Sequence, residues 1–136
     1  MTDILNDIKS KKAKKIMLDT DAANEINDQF AISYVALSPN IELLSVNSAL
    51  YDDGYGPESG VIRSYDEILQ TLALAVPNEK IPVYKGARKK MSDPKYPVGS
   101  PAADNIINTV LSSEERVYVV AIGAITNVVS AILKAP

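Results

Sequence analysis

Cysteine and histidine are both absent from the 136 residues. Without cysteine there is no disulfide framework and no thiolate metal site, and the chain is compatible with a reducing compartment. Without histidine, the chain by itself has no Ser-His-Asp triad, no imidazole general acid and no His-ligated zinc. Charge of one sign is scarce too: 14 basic against 17 acidic residues leave a formal net charge of -3, too small to imply a charged partner such as nucleic acid. No apolar run approaches the roughly 18 residues of a membrane span. The opening "MTDILNDIKSKK" also lacks the apolar core of a secretion signal, so no membrane partner is expected and a cytoplasmic location is the default. What is present, 46% apolar and 23% charged residues, is the mixture of an ordinary globular domain. The length suits one layered core.

The cluster "KSKKAKK" at residues 9–15 reads as part of a solvated basic arm over residues 1–13, ahead of a domain spanning 14–136. "KKIML" is a short buried strand, continuous in apolar, β-compatible residues, and it stops at Asp19. "DQFAISYVAL" places Phe30, Ala31, Tyr34, Val35 and Leu37 near one helical face, and "SPN" closes it. "IELLSVNSAL" is a second strand, and "YDDGYGPES" a long loop rich in Gly, Pro and Asp. The next helix runs from about Glu58 to Val76, with Ile62, Tyr65, Ile68, Leu69, Leu72 and Val76 as its buried stripe. "IPVYKG" is the third strand, followed by a helix aligning Ala103, Ile106, Ile107, Val110 and Leu111. "RVYVVAIG" is the fourth, followed by a helix carrying Ile125, Val128, Val129, Ile132 and Leu133. Strict alternation of strand and helix predicts an α/β fold, a parallel sheet with helices on both faces. Ligands bind such sheets outside the carboxyl ends of the strands, where "DTDAANEIND", "NSALYDDGYG" and "IGAITN" all fall.

Asp19, Asp21 and Asp28 gather at the first strand-to-helix junction. One account is structural: Asp19 accepts hydrogen bonds from loop amides, and Asp28 sits in a first helical turn, where a carboxylate is stabilised by roughly 0.3 to 1 kcal/mol. The other is chemical. Like charges held close together raise each other's pKa, and a hard cation relieves that cost. Ca²⁺ takes roughly six to eight oxygen ligands, a demand a rim without His or Cys can partly meet.

These stretches resemble a known family. "KKIMLDTD", a further Asp a few residues on and an alanine-containing helix look like the DTDPGxDDAxA signature of the inosine-uridine preferring nucleoside hydrolases. "IPVYKGA" resembles that family's third-strand motif, and "VVAIGAITNVVSAILKAP" its LGPLTNLALAL segment, so the likeness runs from Lys14 to Pro136 in order. The resemblance implies a Rossmann-like nucleoside hydrolase fold, here its N-terminal half, and Ca²⁺-dependent hydrolysis of the N-glycosidic bond of ribonucleosides in purine and pyrimidine salvage. By position it implies that Asp21 ligates Ca²⁺ and takes a proton from the attacking water. It likewise implies that Asp28 is the second carboxylate ligand and that Ile122 supplies a backbone carbonyl to the metal.

Departures from the pattern bear on the substrate. "AANEI" replaces Pro-Gly-x, is two residues longer and lacks the glycine. Asn27 stands where the family has an aspartate on the ribose hydroxyls; Glu25 or Asn24 takes over that role, or Asn24 caps the helix. Asn47 either serves the sugar from the end of the second strand or is a satisfied amide. Tyr51, Asp52, Asp53 and Tyr55 line a base pocket or form an exposed turn. Family members are about twice as long, and the remainder carries another calcium-binding aspartate and a histidine that assists the leaving base. The 136 residues are therefore expected to bind metal poorly, to turn over weakly or not at all, and to expose a sheet edge that invites a homo-oligomer or association with the missing half. Two other readings stand: a non-catalytic nucleoside- or sugar-binding module, and a haloacid dehalogenase-type phosphatase, which Asp19-x-Asp21 also opens but whose usual Thr or Val is here Ala23.

Overall fold

A computed structural model describes residues 4–136. Its elements follow in the order α1 (Ile4–Lys9), β1 (Lys14–Thr20), α2 (Asn27–Leu37), β2 (Ile41–Ser48), α3 (Pro57–Ala75), β3 (Val83–Tyr84), α4 (Pro101–Ser112), β4 (Val117–Ala121) and α5 (Thr126–Lys134). The strands form one sheet in the order β3-β2-β1-β4, and every pairing is parallel. β1 is central. Its apolar run is continuous because both of its faces are covered, as in other parallel sheets. The register sets Asp19 beside Asn47 of β2 and Ala121 of β4, so three strand ends meet at one rim.

Strand side chains alternate between two cores. Leu18 and Val46 pack with Ile32, Ile68 and Leu72 under α2 and α3, whereas Met17 packs with Ala103, Ile106 and Ala131 under α4 and α5. The expected α/β architecture is present, but the phase of several helices differs from the apolar stripes read in sequence. On α2 the inward residues are Asp28 and Ile32, while Phe30, Tyr34 and Leu37 are 71%, 70% and 61% exposed. Apolar residues lie around most of this helix, so its rotation is decided by the polar Asp28, which turns inward to meet Thr20. On α3, Gly60, Val61, Ser64, Ile68, Thr71 and Leu72 face in, and Ile62 and Leu69 are exposed. Small residues there permit a close approach: a Cβ at Gly60 would stand 2.1 Å from the Tyr51 carbonyl oxygen. On α4, Val110 and Leu111 are exposed, and on α5 the buried residues are Asn127, Ser130 and Ala131 rather than Ile125, Ile132 and Leu133.

Two further expectations are corrected. The third strand shrinks to Val83–Tyr84, the two residues in register with Val46 and Asn47 of β2. The basic arm is not simply solvated: it contains α1, and it is stitched to the start of β4. The Tyr118 hydroxyl donates to the Asp7 carboxylate, Lys12 pairs with Glu115, and Lys15 reaches Glu115 at 2.9 Å. Residues 1–3 of the expected arm lie outside the described residues. α4 opens as its sequence suggests, with Pro101 in the first turn and the Ser100 hydroxyl accepting from the Ala103 amide at 3.1 Å.

Candidate active site

The rim is built from the end of β1. Because side chains alternate, Thr20 points to the α2 side and Asp19 to the α4 and α5 side. The Thr20 hydroxyl donates to the Asp28 carboxylate, which is only 4% exposed. Asp21, 9% exposed, follows where the strand has ended. Its carboxylate accepts from the Asn24 side-chain amide at 3.1 Å, and its carbonyl accepts from the Asn24 backbone at 2.8 Å. Asn24 is thus not the helix cap; Ile26 occupies that position with no side-chain bond. Burial pushes the Asp21 carboxyl above the usual carboxylate range, and the charges of Asp28 and Glu25 add to the shift. Asp28 is therefore close enough for its charge to oppose the ionisation of Asp21.

The third part of the rim is the turn between β4 and α5. A Cβ on Gly123 would lie 2.5 Å from Asp21 Oδ1, so the carboxylate rests directly on this turn and only glycine leaves it room. Ile122 is joined to β1 through its amide, which donates to the Asp19 carbonyl at 2.9 Å. The expected set of Asp21, Asp28 and Ile122 is accordingly gathered at one end of the sheet. Glu25 and Asn27 are exposed on the neighbouring loop and first turn of α2. Asn47 is elsewhere: strand alternation turns it into the layer under α4, fully buried, where its Oδ1 accepts from Asn105 at 3.3 Å. This buried amide is only half satisfied, since its Nδ2 has no hydrogen-bond partner.

Tyr51 is largely buried, and its hydroxyl donates to the Ala23 carbonyl at 3.3 Å, bracing the enlarged loop after β1. Asp53 belongs to a structured turn, accepting from the Tyr55 amide at 2.9 Å, from Ser59 at 3.0 Å and from Arg63 at 3.0 Å. Tyr55 is exposed. The loop "YDDGYG" is therefore chiefly a self-bonded turn, with Tyr51 alone directed at the β1 loop.

Two residues of this region carry no signal of their own in sequence. Thr20 looks like any strand residue, and Asn127 like any polar helix residue. Yet Asn127 donates to Asp19 Oδ2 at 2.9 Å in the interior. Asp19 has no exposure and its Oδ1 has no hydrogen-bond partner. Burial raises its pKa to about 7, the bond from Asn127 lowers it, and the charge of Asp21 raises it. The textual hints for Asn127 were its place in "IGAITN" at a strand end and within the segment that resembles LGPLTNLALAL.

The donors fit a hard cation in kind, since buried carboxylate, hydroxyl and carbonyl oxygens are what Ca²⁺ prefers. In number they are a partial set. Among the described residues no group of three or more His, Cys, Asp or Glu side chains is placed to hold a metal.

No curated protein matches this chain. Among solved structures, a plant nucleoside hydrolase superposes with a TM-score of 0.69 at 25% identity, over 90% of this chain and 43% of its own. An inosine-guanosine nucleoside hydrolase gives the same TM-score and coverages at 20% identity, a likeness of fold. The chain thus spans less than half the length of either protein. Neither comparison brings in the phosphatase alternative. Residues 16–136 match the inosine-uridine preferring nucleoside hydrolase family, and with the sheet, the rim and the order of motifs in agreement, the chain belongs to that family.

Proposed function

We propose that these residues form the water-activating part of a Ca²⁺-dependent site that hydrolyses the N-glycosidic bond of ribonucleosides, working in the cytoplasm. The observation that carries this reading is the meeting of Asp21, Asp28 and the Gly123 turn at the carboxyl ends of β1 and β4. Asp21, Asp28 and the Ile122 carbonyl would hold the ion. When bound, such an ion lowers the pKa of a water molecule and so eases its deprotonation near neutral pH.

The chain's own groups do the rest. Asp21, its basicity raised by burial, accepts the proton of the attacking water, and Asn24 keeps its carboxylate turned to the rim. Asp28 is held by Thr20. Glu25 and Asn27, exposed beside them, are placed to bond sugar hydroxyls. Water oxygen attacks the anomeric carbon, the bond to the base nitrogen breaks through an oxocarbenium-like state, and the base leaves with the electron pair. With no histidine in the chain, the base's proton comes from another source, and turnover by these 136 residues is expected to be weak.

Calorimetry with Ca²⁺, together with assays of ribose release from inosine and uridine, tests the proposal. Asp21→Ala should abolish Ca²⁺ binding and any turnover; retention of either defeats the assignment. The exposed amide Asn27 in place of a carboxylate favours one second reading, a binding module. Nucleoside binding without ribose release, in this chain and in any longer natural form, would support it.

A further inference from the structure

Asn127 lies beneath the rim at the meeting point of segments from β1, β2, the loop after β3 and the cap of α4. Its Nδ2 donates to Asp19 Oδ2 at 2.9 Å and to the Ser48 carbonyl at 3.1 Å. Its Oδ1 accepts from the Ala87 amide at 2.8 Å and from the Ser100 hydroxyl at 3.1 Å. An amide side chain has two donor hydrogens and two acceptor lone pairs, and here all are engaged while the residue is almost fully buried. The approach is close on every side: a Cβ on Gly86 would stand 2.0 Å from the Ser48 carbonyl oxygen and 2.6 Å from Asn127 Nδ2. Glycine at 86 is what lets the chain after β3 settle onto the amide.

The partners matter more than their number. None is a core contact; each is the end of a strand, a loop amide or a helix cap. Asp19 in particular links Asn127 to both sides of the candidate site. Its carbonyl receives the Ile122 amide at 2.9 Å, and two residues later comes Asp21, whose carboxylate rests on Gly123. A slip of β1 against the β4–α5 turn would separate the Asp21 carboxylate from the Ile122 carbonyl. Asn127 begins that turn's helix and grips β1, so it opposes the slip.

We propose that Asn127 is the positioning residue of this site, an amide clamp that sets the distance between the Asp21 carboxylate and the Ile122 carbonyl by holding Asp19 and the end of β2. The proposal rests on the reading of those two groups as cation donors. Asn127 touches neither ion nor substrate and acts through Asp19. Residues that hold ligating groups in this way typically cost roughly 10- to 100-fold in metal affinity when replaced.

The test compares Asn127→Asp, which keeps the acceptor and loses the donor, and Asn127→Ser with a control, Ser130→Ala. Ser130 is buried on the same helix and bonds the Val98 amide at 3.0 Å, away from Asp21. Ca²⁺ affinity by calorimetry, amide hydrogen exchange at Ile122 and melting temperature are measured on the full chain. Both Asn127 variants should weaken Ca²⁺ binding by roughly 10- to 100-fold and speed exchange at Ile122. Ser130→Ala should lower the melting temperature and leave the other two readouts unchanged. The clamp is overturned by native affinity and native Ile122 protection in the Asn127 variants, or by an equal loss in Ser130→Ala, which would mean general loosening. Should Asn127→Asp not fold, Asn127→Ser decides by the same criteria. If the unmodified chain binds no Ca²⁺, the functional reading fails, and exchange at Ile122 alone judges the clamp: faster exchange supports it, unchanged exchange defeats it.

Discussion

Thr20 shows how a single hydroxyl can anchor a site. It is fully buried, and its bond to Asp28 is the means by which the first turn of α2 is tied to the central strand. Thr20→Val keeps the shape and removes the donor, leaving a buried carboxylate short of a partner, which typically costs about 1 to 3 kcal/mol. Denaturant unfolding in the presence of a chelator should show that loss; an unchanged midpoint would mean that Asp28 finds another donor. Asp21 and Asp28 were legible in sequence because acidic residues crowded at a strand end are conspicuous. Thr20 and Asn127 were not, since their significance is a matter of which carboxylate each one faces, and only the packing of strand against helix decides that.

Helix α3 offers a case in which local and tertiary preferences oppose each other. Replacing Gly60 with alanine inside a helix should stabilise by about 1 kcal/mol on propensity alone. The new Cβ would meet the Tyr51 carbonyl oxygen at 2.1 Å, backbone that cannot easily yield. Overpacking of this kind costs about 1 to 3 kcal/mol, so Gly60→Ala should lower stability, and a raised melting temperature would contradict the packing described. The arm carrying α1 depends on charge instead. Lys12 and then Lys15, both bonded to Glu115, hold its carboxyl far below the usual range, at about 2. A depressed carboxylate pKa contributes above its unfolded value and stops contributing as pH falls through the folded one. The tether should accordingly hold from neutral pH down to the carboxylate range and weaken progressively towards pH 2. Because the pair is exposed, it should also weaken with salt. Glu115→Gln should speed tryptic cleavage after Lys9, Lys11 and Lys12 at neutral pH; unaltered cleavage would leave the Asp7 contacts as the effective tether.

Over the whole molecule, the sheet order leaves β4 at an edge, and the surface beside it is apolar. Val120, Ile122, Ile125, Ile132 and Leu133 are all substantially exposed along β4 and α5. Parallel strands are ordinarily covered on both sides, and an uncovered edge of this composition invites pairing. Sedimentation should reveal concentration-dependent association of the 14.7 kDa chain. Val120→Lys should weaken it by roughly tenfold, about 1.4 kcal/mol. A monomer at every concentration would show that the edge is quiet. No described helix is long and apolar enough to cross a membrane.

What the order of residues determined by itself was the class of fold and the place of the rim. Alternating strands and helices leave few topologies, and parallel sheets bind at their carboxyl ends. The same text pointed to Asp21 and Asp28. Tertiary structure decided the rotation of the helices, the withdrawal of Asn47 into the sheet layer, and the role of Asn127. Apolar residues surround α2 so broadly that hydrophobic periodicity has no single answer, and α5, though amphipathic in sequence, buries Asn127, Ser130 and Ala131 rather than its larger apolar residues. The phase is chosen by a few buried polar groups, Asp28, Asn127 and Ser130, each of which must find a partner from another part of the chain, because an unsatisfied polar group in the interior costs more than an exposed leucine.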